Sequence, residues 1–174
     1  MTALQTQALA AKNAERVLAV ALTEQKNTAL EAIAAALEAR QAEILDANTR
    51  DMEEARQAGM RPALLDRLAL DPGRIAGIVA GVRQVKALPD PIGTVVHMFQ
   101  SPNGMTIGKR RVPLGVIGMI YEARPNVTVD AAVLCLKSGN AVILRGGKEA
   151  FHSNQAFVNV MRDALEEAGL PRDC

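Results

Sequence analysis

Tryptophan is absent from this 174-residue chain, and its aromatic residues number four: Phe99, Tyr121, Phe151 and Phe157. With so few rings, a core must be built from the alanine, leucine, valine and isoleucine that dominate an apolar fraction of 49%. The length suffices for one sizeable core, or for one domain with an appendage. A charge excess is lacking too: 20 Lys and Arg face 19 Asp and Glu, a net charge of +1 with the signs mixed along the chain. That balance points to neither a nucleic-acid patch nor a membrane-seeking surface. No apolar run approaches the length of a bilayer span. The opening "MTALQTQALAAKNAER" lacks the basic-then-apolar order of a secretory signal. Two cysteines, Cys135 and Cys174, form neither a metal spacing nor a disulfide framework. The expectation is a cytoplasmic protein with reduced thiols.

The chain instead offers periodicity that changes partway along. Leu30, Ile33, Ala34, Leu37, Ile44, Leu45 and Asn48 recur at helical spacing, with Glu31, Glu38 and Arg40 off that face. Asp71-Pro72 makes a helix start, and Ile75, Ile78, Val79, Val82 and Val85 form one stripe that ends before the prolines of "LPDPIG". Residues 1–88 thus read as a helical segment of three or four helices. From Thr94 the texture is β-prone. "TVVHMFQ" and "MTIGKRRV" flank Ser101-Pro102-Asn103-Gly104, a strong hairpin signal. "GVIGMI" suits a central strand covered on both faces. A helix capped by Thr128 or Asp130 follows, ending at Ser138-Gly139-Asn140; "AVILR" is a second buried strand. Ser153 or Asn154 then opens an amphipathic helix that ends at Gly169 before Pro171. The predicted fold is α/β: the helical segment at 1–88, then at 89–174 a β-hairpin and the first part of a Rossmann-like parallel sheet.

In open parallel sheets ligands sit beyond the carboxyl ends of the strands. Both strand exits here carry chemistry. Arg145-Gly146-Gly147-Lys148 sets two cations around two glycines, which suits close approach of a phosphate to the backbone. It is neither a P-loop nor the dinucleotide fingerprint of three spaced glycines, and a Gly-Gly turn with solvated charges fits the pattern equally well. Glu122, Arg124 and Asn126 could bind a charged small substrate, or Arg124-Pro125 could simply break the strand. Cys135 reads as a small core residue rather than a nucleophile. His97 reads as structural or exposed, and His152 as solvated although near the second exit. No Ser-His-Asp set and no metal site can be drawn.

These residues also carry a resemblance. "VPLGVIGMIYEARPNVTVDAAVLCLKSGNAVILRGGKEAFHSN" is similar to the gamma-glutamyl phosphate reductase (glutamate-5-semialdehyde dehydrogenase) family, and more distantly to the aldehyde dehydrogenase superfamily. "YEARPNVT" and "LKSGNAVILRGGKEA" are its specific motifs, and "ILDANTRDMEEAR" and "LLDRLALD" extend it over essentially the whole chain. The resemblance implies an aldehyde dehydrogenase-like cofactor domain and NADPH-dependent reduction of L-glutamyl 5-phosphate to L-glutamate 5-semialdehyde in proline biosynthesis. In that chemistry a cysteine thiolate expels phosphate, and hydride reduces the resulting thioester. It also implies a homo-oligomer in the full-length protein, with neither nucleic acid nor membrane as partner.

The resemblance has departures. The superfamily's oxyanion-holding asparagine is replaced by Ala123, which leaves Asn126 as the oxyanion candidate. Family members are more than twice this long, and their nucleophilic cysteine lies beyond Leu170, in a catalytic domain. Neither cysteine here matches it, so an inactive N-terminal portion is expected. At the second exit the superfamily's lysine and glutamate positions are held by Arg145 and Lys148. Replacing a carboxylate with an ammonium there favours a ribose 2′-phosphate, which assigns NADPH to Arg145, Gly146, Gly147 and Lys148. A stand-alone nucleotide-binding or assembly module, and another acyl-phosphate or aldehyde dehydrogenase, are the alternative readings.

Overall fold

Proline and capping chemistry divide the first 88 residues of the computed structural model, which describes residues 2–174, into five helices rather than three or four. These are α1 (Ala3–Leu18), α2 (Thr23–Ala39), α3 (Gln41–Gln57), α4 (Pro62–Leu68) and α5 (Pro72–Ala87). At the start of α1 the Thr2 hydroxyl accepts from the Gln5 amide, and the Gln5 side chain accepts from the Thr2 N–H. Helices α4 and α5 each begin with proline in the first turn, and Asp71 caps α5 by accepting from the Arg74 N–H at 2.8 Å. The segment most easily passed over in a search for long stripes is α4, seven residues started by Pro62.

The remaining elements are β1 (Val95–Gln100), β2 (Thr106–Arg110), β3 (Val116–Ile120), α6 (Pro125–Lys137), β4 (Ala141–Arg145) and α7 (Phe151–Glu167). Strands β1 and β2 form the expected antiparallel hairpin, with Phe99 opposite Ile107 and a bulge between Val95 and His97. Gly104 closes the turn at φ +88, a backbone region that costs other residues energy. Strands β3 and β4 pair in parallel from Val116 opposite Ala141 to Ile120 opposite Arg145, joined by the crossover helix α6.

One core joins the two halves of the sequence. Leu30, Ile33 and Leu37 of α2 and Ile75, Val79 and Val82 of α5 pack with Val129 and Val133 of α6 and Phe157 and Val160 of α7. Full burial of one such side chain stabilises by roughly 1.5–3 kcal/mol. Helix α6 also packs on β4, and α1 lies along β4. The strands themselves are less covered than their apolar sequence predicts: Ile120 is 86% exposed, and only Ala141 of the two strands is fully buried. The reason is that β3 and β4 are this sheet's two strands among the described residues, so their outer positions have no neighbour.

Polar groups hold the junctions. The Asn140 Oδ1 accepts from the N–H groups of Leu114 and Gly115 at 2.6 and 2.9 Å, fixing the approach to β3 against the approach to β4. Beneath α2, α5 and α6 lie two buried lysines. Lys26 pairs with Asp90 at 2.5 Å and donates to the Lys137 carbonyl. Lys137 donates to the Lys86 carbonyl and to Asn27 Oδ1, each at 2.7 Å. Both ammonium groups thereby reach carbonyls in the last turns of α6 and α5, where the helix dipole favours a cation.

Candidate ligand site at the strand ends

Parallel pairing brings the carboxyl ends of β3 and β4 side by side, and the Tyr121 N–H donates to the Arg145 carbonyl at 3.1 Å. The loop Tyr121–Arg124 consequently lies against Gly146 and Gly147. A Cβ on Gly146 would sit 3.1 Å from the Tyr121 hydroxyl and would collide with the Asn154 amide nitrogen. One on Gly147 would sit 2.6 Å from Glu149 Oε2 and 3.2 Å from the Ala123 nitrogen. The space that the two glycines leave open is taken up by this chain's own atoms. Their first role is to let two loops and α7 close together.

A hydrogen-bonded chain locks that contact. The buried Thr128 hydroxyl donates to Asn154 Oδ1 at 2.8 Å, so its oxygen accepts from the Tyr121 hydroxyl at 2.6 Å. Burial pushes the Tyr121 phenol up, opposed by the bond to Thr128. Thr128 is therefore a bonding residue inside α6. The helix begins earlier, at Pro125, with Arg124 at the cap position. Ser153 is likewise inside α7, which begins at Phe151.

The cap of α7 comes from far away in sequence. Asp51 of α3, 1% exposed, accepts from the His152 N–H at 3.0 Å, the Ser153 N–H at 2.8 Å and the Ser153 hydroxyl at 2.5 Å. The Asn48 side-chain NH2 also donates a hydrogen bond to Ser153 Oγ at 3.0 Å. Asp51 carries no local mark of this role in the sequence, whereas Asn48 is a polar residue on an otherwise apolar stripe. The His152 ring stands half-buried, 3.3 Å from Glu54 Oε1.

Around this frame the charged candidates are free. Arg145 and Lys148 are exposed beyond β4 and make no ion pair among the described residues; the same holds for Glu122 and Arg124. Asn126 lies in the first turn of α6, where its amide donates to Asp130 Oδ2 at 3.0 Å. The candidates fall on two sides of one loop. Glu122 and Ala123 abut Gly147, whereas Arg124 and Asn126 open onto a cleft of about 450 Å³ between α6 and the α4–α5 turn.

Neither cysteine is set up as a nucleophile. Burial pushes the Cys135 thiol up, and burial with neighbouring Asp173 pushes Cys174 up to about 11. His97 is exposed on the hairpin, its ring 5.4 Å from Phe99. Among the described residues no group of three or more His, Cys, Asp or Glu could hold a metal ion. Among the described residues no helix is long and apolar enough to cross a membrane.

Comparison with known proteins agrees with this geometry. No family model matches the chain. The gamma-glutamyl phosphate reductase of Moorella thermoacetica is 58% identical over 168 residues, which is 97% of this chain and 40% of that protein. The crystal structure of gamma-glutamyl phosphate reductase from Thermotoga maritima matches with a TM-score of 0.96 at 44% identity, covering 99% of this chain and 42% of that one. The Saccharomyces cerevisiae counterpart matches with a TM-score of 0.92 at 32% identity, covering 99% of this chain and 45% of that one. A probable aldehyde dehydrogenase from Listeria monocytogenes, at 17% identity and a TM-score of 0.66, shows the shared fold alone. The chain spans about two fifths of the length of the relatives it matches.

Proposed function

We propose that the whole protein carrying this chain, a member of the gamma-glutamyl phosphate reductase family, reduces L-glutamyl 5-phosphate to L-glutamate 5-semialdehyde with NADPH, in cytoplasmic proline biosynthesis. The observation that carries this reading is identity at 58% over nearly the full chain. In this reading neither cysteine is the nucleophile, since Cys135 is buried on α6 and burial pushes both thiols up. This segment's share of the work is binding.

The residues of the second exit fit a phosphorylated dinucleotide. Arg145 and Lys148 are exposed, unpaired cations beside a loop that Gly146, Gly147, Tyr121 and Asn154 hold in one place. A rigid loop presenting two cations loses little freedom when an anion binds. When bound, NADPH supplies the hydride. Arg124 and Asn126 face the cleft that would take the substrate, with Asn126 able to serve the oxyanion after releasing Asp130, and Glu122 stands between that cleft and Gly147. The hairpin's exposed Val95, Met98, Phe99 and Ile107 supply an apolar surface for association into a homo-oligomer.

A charge-assisted bond to phosphate contributes roughly 1.5–3 kcal/mol, about tenfold or more in preference. Lys148→Glu in the full-length protein should therefore lower the NADPH-to-NADH ratio of kcat/KM by at least about tenfold. An unchanged ratio would remove Lys148 as the reader of the 2′-phosphate. Absence of turnover of glutamate 5-semialdehyde with NADP and inorganic phosphate, the reverse reaction, would remove the activity itself.

A further inference from the structure

We infer that the cleft between α6 and the α4–α5 turn is a receptor for the amino-acid head of the substrate, with Asp130 pairing the α-ammonium and Arg67 and Arg124 the α-carboxylate. The inference rests on the substrate reading above and deepens it by naming which groups are read. The cleft is of about 450 Å³ and is lined by charges of both signs. Two of these already have partners: Arg74 bonds Asp66 and the Asp66 and Ala69 carbonyls, which fixes the turn between α4 and α5. Three remain. Arg67 on one wall and Arg124 on the other make no ion pair or side-chain hydrogen bond among the described residues, and Asp130 takes only the neutral amide of Asn126.

A cavity with two unengaged guanidinium groups and one carboxylate that lacks a charged partner is complementary to a zwitterion rather than to a simple anion. Leu70 and Ile78 give the same cleft an apolar surface against which a short methylene chain can lie. Gly77 completes the case. It sits on α5 facing the cleft, in ordinary helical geometry, and a Cβ built on it meets nothing within 4 Å. No contact within the chain requires a glycine there. A glycine inside a helix is unfavourable for the fold, so its effect at this wall is to keep the cleft open. Arg124 leads directly into the loop whose Ala123 abuts Gly147, so a ligand headed into this cleft lies across that loop from the proposed dinucleotide.

The test is calorimetric binding of L-glutamate and of glutarate, its counterpart without the amino group, to the full-length protein. Wild-type protein should bind L-glutamate at least tenfold more tightly than glutarate, and Asp130→Asn should abolish that difference while leaving glutarate affinity within twofold. Arg67→Ala should weaken both. Gly77→Leu should weaken both at least tenfold while raising Tm, because it fills the cleft and removes a helical glycine. A preference for L-glutamate that survives in Asp130→Asn, a Gly77→Leu variant that binds normally, or a wild-type protein that binds neither ligand at millimolar concentration would each overturn the inference. These readouts are independent of turnover: a protein that binds as described yet does not use NADP and phosphate would keep the inference and lose the activity.

Discussion

The helical core and the β1–β2 hairpin are held in place by different means. Phe157, Leu30 and Leu37 have no exposed surface, and they join residues more than a hundred positions apart. In the hairpin every residue of both strands is exposed, and order comes from the backbone ladder, a bulge and one glycine turn. The first region is specified by burial and resists substitution through volume. The second is specified locally, which leaves its apolar side chains available to an external surface. Met98, Phe99 and Ile107 thus stay outside the core that the helices build.

Equilibrium unfolding of paired variants sharpens that contrast. Phe157→Ala should cost about 3–5 kcal/mol, the usual cost of removing a buried phenylalanine, whereas Phe99→Ala should change the monomer by about 0.5 kcal/mol or less. Equal losses at the two sites would dissolve the distinction. Asp90→Asn comes next, at about 3 kcal/mol or more, because it leaves the buried Lys26 ammonium without its counter-ion. This site also gives a pH signature. Burial pushes the Asp90 carboxyl up, but the bonds from Lys26, Thr23 and the Ile92 N–H outweigh it, and the net shift is below the ordinary 3.8. Its contribution is thus fully present above about pH 4 and is lost as pH falls through the lower, folded-state value. Wild-type protein should lose stability in that acid range, and Asp90→Asn should show a shallower acid loss from a lower starting point. Gly104→Ala should cost less than either core change, about 1 kcal/mol from its positive φ, felt in the hairpin's amide exchange rather than in the helices.

Legibility followed the same division. Stripes such as Ile33, Leu37, Ile75 and Val79 were readable because helical spacing records a buried face directly. The hairpin was readable because Asn103-Gly104 chemistry is local. The start of α5 at Asp71-Pro72 was readable for the same reason, but the starts of α6 and α7 were not. Thr128 and Ser153 have the chemistry of caps, yet both are engaged inside helices by partners on other elements, Thr128 by Tyr121 and Asn154 and Ser153 by Asp51 and Asn48. A cap supplied across a hundred residues leaves no mark near the helix it closes. Gly146 and Gly147 were correctly located at a strand exit, but their open space serves Tyr121, Asn154 and Glu149 before it serves any ligand. The cleft at Arg124 was half legible, since Arg67 and Gly77 join it only after α4 and α5 fold back.

The two lysines that reach helix-end carbonyls have a practical consequence. The chain contains six lysines, and Lys26 and Lys137 are 2% and 3% exposed with their amines bonded inward. An amine-reactive reagent added to the native protein will mark the other four and spare these two. Modification at Lys26 and Lys137 requires α2, α5 and α6 to separate, so mass spectrometry of those two peptides over time reads the opening rate of the shared core residue by residue, without a denaturant or an optical probe.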